Sequence, residues 1–180
     1  FSSIDESPAN ENNMAYQRLQ AGKAWQVYKS DNTDIPNIGV GGATGTTTSG
    51  STTQLIDASR TGDDPDNMVT LKFTLAGIKP GMIAVNTTDG SQTTISRVVN
   101  DTTLDVDNNI FSSTAKAYAI YGGDQEGAVL YIGGAGNLKV TTVAGDTVTF
   151  NALNAGTFFP VQVKKVFDTG TSASNIVALW

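Results

Sequence analysis

The chain has no cysteine and no histidine among its 180 residues. Disulfides and thiolate zinc centres are therefore excluded, and so are nucleophilic sites built from Ser-His-Asp or Cys-His. Charge is also scarce: Asp, Glu, Lys and Arg make up 16% of the residues, below the usual quarter. Basic residues are outnumbered 11 to 17, for a net charge of −6. A phosphate-binding face needs clustered Lys and Arg, and Lys164-Lys165 is the only adjacent basic pair, so no nucleic-acid partner is expected. No apolar run approaches the ~18 residues of a membrane-spanning helix, and no membrane partner is expected either.

What is abundant is Gly, Thr and Asn, a composition suited to short strands and many turns. The end of the chain is the most strongly patterned part. Leu130 and Ile132 before Gly133-Gly134-Ala135-Gly136, with Leu138 and Val140 after, predict a hairpin. Val143, Val148 and Phe150 around Ala144-Gly145-Asp146 predict a second one. Val161, Val163 and Val166 share their strand with Gln162 and Lys164, which predicts one buried and one wet face. Ile176, Val177, Leu179 and Trp180 form a last strand too apolar to fray, suited to closing a sheet or meeting another protein.

Upstream lies an N-terminal arm, residues 1–23. Residues 1–13 are polar with only Phe1 and Ile4 as apolar anchors, and read as a loose tail or as an arm that orders on a neighbouring subunit. Met14 to Lys23, with Tyr16 and Leu19, predicts a short helical turn ended by Gly22. Trp25 and Val27 alternate with Gln26 and Tyr28 in a predicted first strand. Gly39 to Thr53 has almost no apolar side chain beyond Val40 and is expected to be a linker or surface loop. No Gly-Lys-Ser/Thr follows it, so a phosphate cradle is rejected. Val69, Leu71, Phe73 and Leu75 alternate with polar residues and predict a half-buried strand. Asp89-Gly90 and Asn100-Asp101 are predicted turns joining strands near 78–86, 93–99 and 103–106, and Ala117 to Tyr121 closes the unit.

The segments Ile132-Gly-Gly-Ala-Gly-Asn-Leu-Lys-Val-Thr-Thr, Gly145-Asp-Thr-Val-Thr-Phe, Ala155-Gly-Thr-Phe-Phe-Pro-Val-Gln-Val-Lys-Lys-Val and Thr169 to Trp180 resemble the small spike-base proteins in the heads of tailed phages and gene transfer agents. Ser30-Asp-Asn-Thr-Asp-Ile-Pro resembles the opening of the same family. The stretch Ile78 to Tyr121 resembles a small β-barrel module of phage structural proteins. The resemblance implies an all-β fold. Residues 24–37 and 128–180 would form a β-sandwich or barrel, 38–127 an insertion, and 1–23 an extended arm.

The function implied is a non-enzymatic virion protein on the capsid exterior. A decoration (cement) protein contacting the major capsid protein comes first, as a homotrimer by analogy with three-fold lattice sites. A spike base or tail adaptor is the alternative. The interface residues implied are Phe1, Ile4, Met14, Tyr16 and Leu19 from the arm and Ile176, Leu179 and Trp180 from the last strand. A reading of another class, a module for host surface glycans, would use Trp25, Tyr28, Tyr118, Tyr121, Tyr131 and Trp180 as stacking platforms. Two acidic clusters, Asp63, Asp64, Asp66 and Asp101, Asp105, Asp107 with Asn108 and Asn109, have the oxygen chemistry for calcium. Neither has the Asp-x-Asp-x-Asp-Gly spacing, and Asp and Asn are favoured turn residues, so no metal and no cofactor are expected.

Overall fold

The computed structural model describes residues 21–123 and 127–180. Among them the chain is all-β, twelve strands in two antiparallel sheets. In chain order the strands are β1 Ala24–Gln26, β2 Asn37–Thr46, β3 Gln54–Ile56, β4 Ile83–Asn86, β5 Gln92–Asn100, β6 Thr103–Val106, β7 Ala117–Gly122, β8 Ala128–Gly134, β9 Gly136–Thr142, β10 Thr147–Leu153, β11 Thr157–Val166 and β12 Ser174–Leu179.

The first strand joins the last five in a terminal sheet, in the order β1-β12-β8-β11-β9-β10. Everything between forms an inserted sheet, β2-β7-β4-β5-β6-β3. The strands by which the chain enters and leaves the insert are neighbours, with Asn37 opposite Gly122. An insertion tolerated within another unit needs this closeness of its two ends. The inserted sheet also curls, because Ser49, just past β2, bridges Ile56 of β3 and Thr48 donates its N–H to the Ile56 carbonyl at 2.9 Å.

Each sheet builds its own core. Leu130, Ile132, Leu138, Val140, Ile176 and Ala178 project from alternate positions of β8, β9 and β12, and Phe159, Val163 and Val166 from the irregular β11, into one cluster. Leu55, Phe73, Ile95, Leu104, Phe111, Tyr118 and Ile120 fill the other. Between them, the amide of Gln92 donates to the Tyr28 carbonyl at 2.6 Å, and the Trp25 ring meets Tyr121 edge-on at 6.3 Å. Gly90, at φ +80° in the β4–β5 turn, lies so close to Tyr28 that a Cβ would stand 2.4 Å from its ring. That close approach, as well as the turn, demands glycine there.

The turns at Asp89-Gly90, Asn100-Asp101 and Gly145-Asp146 fall where the sequence places them. Three expectations fail. The Gly39–Thr53 tract is not a linker: most of it is β2, paired along β7 from Asn37 to Thr46. Gly45 there serves close packing, since a Cβ on it would lie 2.7 Å from both Asp57 Oδ2 and the Tyr118 hydroxyl. Met68 to Leu75 is not a strand but a series of turns, touching strand geometry only where Leu71 bridges Gly62. The alternation there is real for Leu71 and Phe73, both buried, while Val69 and Leu75 are more than half exposed. Finally, Gly133–Gly136 does not close a hairpin. β11 wedges between β8 and β9 and pairs with both, so the glycines carry the chain across a strand.

Candidate interaction surface

The polar centre of the inserted unit was not visible in the sequence. Asp57 and Arg60, three residues apart beyond β3, have no solvent exposure and meet at 3.4 Å. Arg60 Nε donates to the Tyr118 hydroxyl at 2.9 Å, and that hydroxyl donates to Asp57 Oδ2 at 2.6 Å. Nη1 of Arg60 donates to the carbonyls of Met68 and Leu71 at 2.7 and 3.0 Å, and Nη2 donates to that of Thr44. The guanidinium also lies over the Phe73 ring, 4.8 Å from its centre. Burial pushes the Tyr118 hydroxyl far above the ordinary tyrosine range, and its hydrogen bond to Asp57 adds to this. With its donors satisfied and water excluded, this cluster has no opening for a substrate. Its work is structural: it ties β2, β7 and the turns 62–76 to a single point. The only sequence cue is an Asp and an Arg three apart after an apolar pair, which is weak.

The acidic clusters are engaged in turns and ion pairs. Asp63 and Asp101 lie 2.7 and 4.0 Å from the Lys72 ammonium, and Asp64 accepts the N–H of Asp66 at 3.0 Å. Asp105 accepts from Gln54 at 2.9 Å and from Arg97 at 2.7 Å. The N–H of Asn108 donates to Thr93 Oγ1, and that of Asp107 to the Thr94 carbonyl. Among the described residues no three Asp, Glu, His or Cys side chains converge as a cation site. The arm residues Phe1, Ile4, Met14, Tyr16 and Leu19 lie outside the described residues.

Of the candidate interface residues in the last strand, Ile176 is 2% exposed and belongs to the chain's own core. Leu179 and Trp180 are half-buried, and Trp180 packs against that core. Of the aromatic platforms, Tyr118 is buried, while Trp25, Tyr28 and Tyr121 pack edge-on between the two units.

One surface remains, on the outer side of the terminal sheet. Phe158, Tyr131 and Val177 stand side by side on β11, β8 and β12, with Val129 opposite Leu179 in the next row. Residues paired across antiparallel strands share a face, so these five form one patch. Phe158 is 50% and Tyr131 41% exposed. A sheet with one solvated side ordinarily alternates apolar inward with polar outward, whereas strands covered on both sides are apolar throughout. β8, Ala-Val-Leu-Tyr-Ile-Gly-Gly, and the Ile-Val-Ala-Leu of β12 have the second pattern on a sheet the described chain covers on one side only. That continuous apolarity was the available signal, visible in the sequence as a terminus too apolar to fray.

Comparison with known proteins returned no matching family model, no matching curated protein and no matching solved structure.

Proposed function

We propose that this chain is a non-enzymatic structural protein of a tailed-phage virion, a decoration protein that binds the major capsid protein and stabilises the shell. The observation that carries the reading is the apolar outer face of the terminal sheet, where the rings of Phe158 and Tyr131, both turned to solvent, stand beside Val129, Val177 and Leu179. An aromatic-centred patch of this kind marks a protein-contact surface. The resemblance of the last strands to head spike-base proteins supplies the virion context, and the paucity of charge suits a surface held against other protein. The inserted unit, joined through two adjacent strands, would face away from the shell.

Binding of the purified chain to undecorated phage heads tests this. Co-sedimentation with the heads, and a higher temperature for their rupture, are expected. Absence of binding over a micromolar range would overturn the assignment. The neighbouring rings of Tyr131 and Phe158 also favour a second reading, stacking on a host-surface sugar. Glycan-array binding without affinity for heads would select it.

A further inference from the structure

We propose that β10 pairs with β10 of a second copy, antiparallel about a two-fold axis at Thr149, so that two terminal sheets join into one. The contact uses the edge of that sheet rather than its outer face, and it is independent of what the outer face binds.

Backbone groups come first. β10 ends the terminal sheet, with β9 on one side and, among the described residues, no strand on the other. Thr149 lies opposite Lys139, whose carbonyl accepts the Phe167 N–H at 3.0 Å and whose N–H donates to Thr171 Oγ1 at 2.9 Å. Both backbone groups of Lys139 thus point away from β10. Lys139 and Thr149 are therefore a non-hydrogen-bonded pair, and the N–H and C=O of Thr149 are turned to the open side. By the same alternation those of Thr147 and Asn151 face the open side, while Val148 and Phe150 pair inward with Val140 and Leu138.

Edge strands are ordinarily blunted by charge, by proline or by brevity. β10 has seven residues with neither a charge nor a proline, and no charged residue occurs from Thr147 to Val163. The opposite edge, β1, has three residues and is flanked by Lys23 and Lys29. For a chain of net charge −6, an uncharged edge lets two copies approach without setting like charges opposite each other.

The order of the side chains selects a second copy as the occupant. Thr147-Val148-Thr149-Phe150-Asn151 reads polar, apolar, polar, apolar, polar in either direction, with Thr149 at its centre. An antiparallel copy centred there sets Thr149 opposite Thr149, Thr147 opposite Asn151 and Val148 opposite Phe150. The residues that this symmetry joins as hydrogen-bonded pairs are the same ones whose backbone groups are open. Val148, 40% exposed although it lies on the core side, gains an aromatic neighbour across the new ladder. The ladder ends at Ala152, where φ is +55° and the register with β9 shifts. A strand of unrelated sequence would require no such symmetry. The contact is self-complementary and closes as a dimer.

Hydrogen-bonded pairs stand ~5.5 Å apart at Cα, within the span of a disulfide. Because the chain has no cysteine, each introduced thiol is unique. Full-length Thr149→Cys is oxidised beside Val69→Cys, on the exposed turns of the inserted unit, as the collision control. Covalent dimer is expected to form about tenfold faster, or more, than with the control. A mixture of Thr147→Cys and Asn151→Cys is expected to outpace either variant alone by a similar factor, which fixes the register. Both results should be unchanged in the Phe158→Ser/Tyr131→Ser background, where the outer face is not available to join copies. Thr149→Pro removes an N–H that β9 does not use, and Thr149→Glu sets like charges together on the axis while facing Lys139 in its own chain. Each is expected to slow the mixed cross-link about tenfold.

Cross-linking of Thr149→Cys no faster than the control would overturn the proposal. So would equal rates for the mixture and for Thr147→Cys alone, full-rate cross-linking in both Thr149→Pro and Thr149→Glu, or its loss in the Phe158→Ser/Tyr131→Ser background. The virion assignment fails on different evidence, the lack of binding to heads, which would leave edge pairing standing.

Discussion

The Nε of Arg60 donates to the hydroxyl of Tyr118 across 2.9 Å, with the guanidinium wholly out of water. The same guanidinium holds Thr44, Met68 and Leu71 by their carbonyls, so one side chain fixes the position of β2 and of the turns 62–76.

Arg60→Met is expected to destabilise the chain by about 3–5 kcal/mol, because it leaves the Asp57 carboxylate buried beside a cation that is gone. Adding Asp57→Leu removes the orphan charge, and the double variant should regain part of the loss, a coupling that urea denaturation of all four proteins measures. A loss below 1 kcal/mol for Arg60→Met would show that the network is not what holds the inserted unit.

Glycines in β2 give a matched pair. Gly45→Ala pushes a methyl against Asp57 Oδ2, the Tyr118 hydroxyl and Arg60, and is expected to cost about 1–3 kcal/mol. Gly41 has open space around its would-be Cβ, and Gly41→Ala should be neutral or stabilising by up to ~1 kcal/mol. Thermal denaturation distinguishes these outcomes. Equal, negligible effects would mean that the tract behaves as a linker in solution.

Three aspartates titrate below the ordinary 3.8. Asp31 is lowered by the hydroxyl and N–H of Thr169. At Asp105 the cause is the Gln54 amide, followed by Arg97. Burial pushes Asp89 up, but hydrogen bonds from the Ser91 hydroxyl and N–H, aided by Lys116, outweigh it. A carboxylate lowered in the folded state stabilises above its unfolded pKa and loses that contribution as pH falls through the folded value. Stability is therefore expected to fall on acidification below about pH 4 and to be insensitive to these groups between pH 5 and 8. In Asp31→Asn the acid-side slope should be shallower. An unchanged slope would show that the Thr169 hydrogen bonds do not persist in solution.

Much of the fold was legible where chemistry is local. Asp89-Gly90 and Gly145-Asp146 announce hairpins because the turn itself selects those residues, with Gly90 and Gly145 both at positive φ. Pairing decided by distant partners was not legible. The need for Gly45 is set by Asp57, just beyond β3, and Tyr118, on β7. The displacement of β9 from β8 is set by β11, whose register is shifted between Phe159 and Val163. Met68 to Leu75 has strand-like alternation, yet Arg60 captures the carbonyls of Met68 and Leu71, so the backbone bends where the pattern alone predicts it to extend. The contact surface was half legible. The apolar terminus was conspicuous, but which residues of β12 face outward depends on its pairing with β8, which puts Ile176 inside and Val177 outside.

Sedimentation equilibrium of the full-length chain beside the double variant Phe158→Ser/Tyr131→Ser tests most directly whether the outer sheet face is a protein-contact surface. The wild type should sediment at a higher mass than the variant. Both side chains are among the most exposed apolar groups of the fold, so folding stability should change by no more than about 0.5 kcal/mol. A wild-type chain with a mass indistinguishable from that of the variant at every concentration would contradict the account.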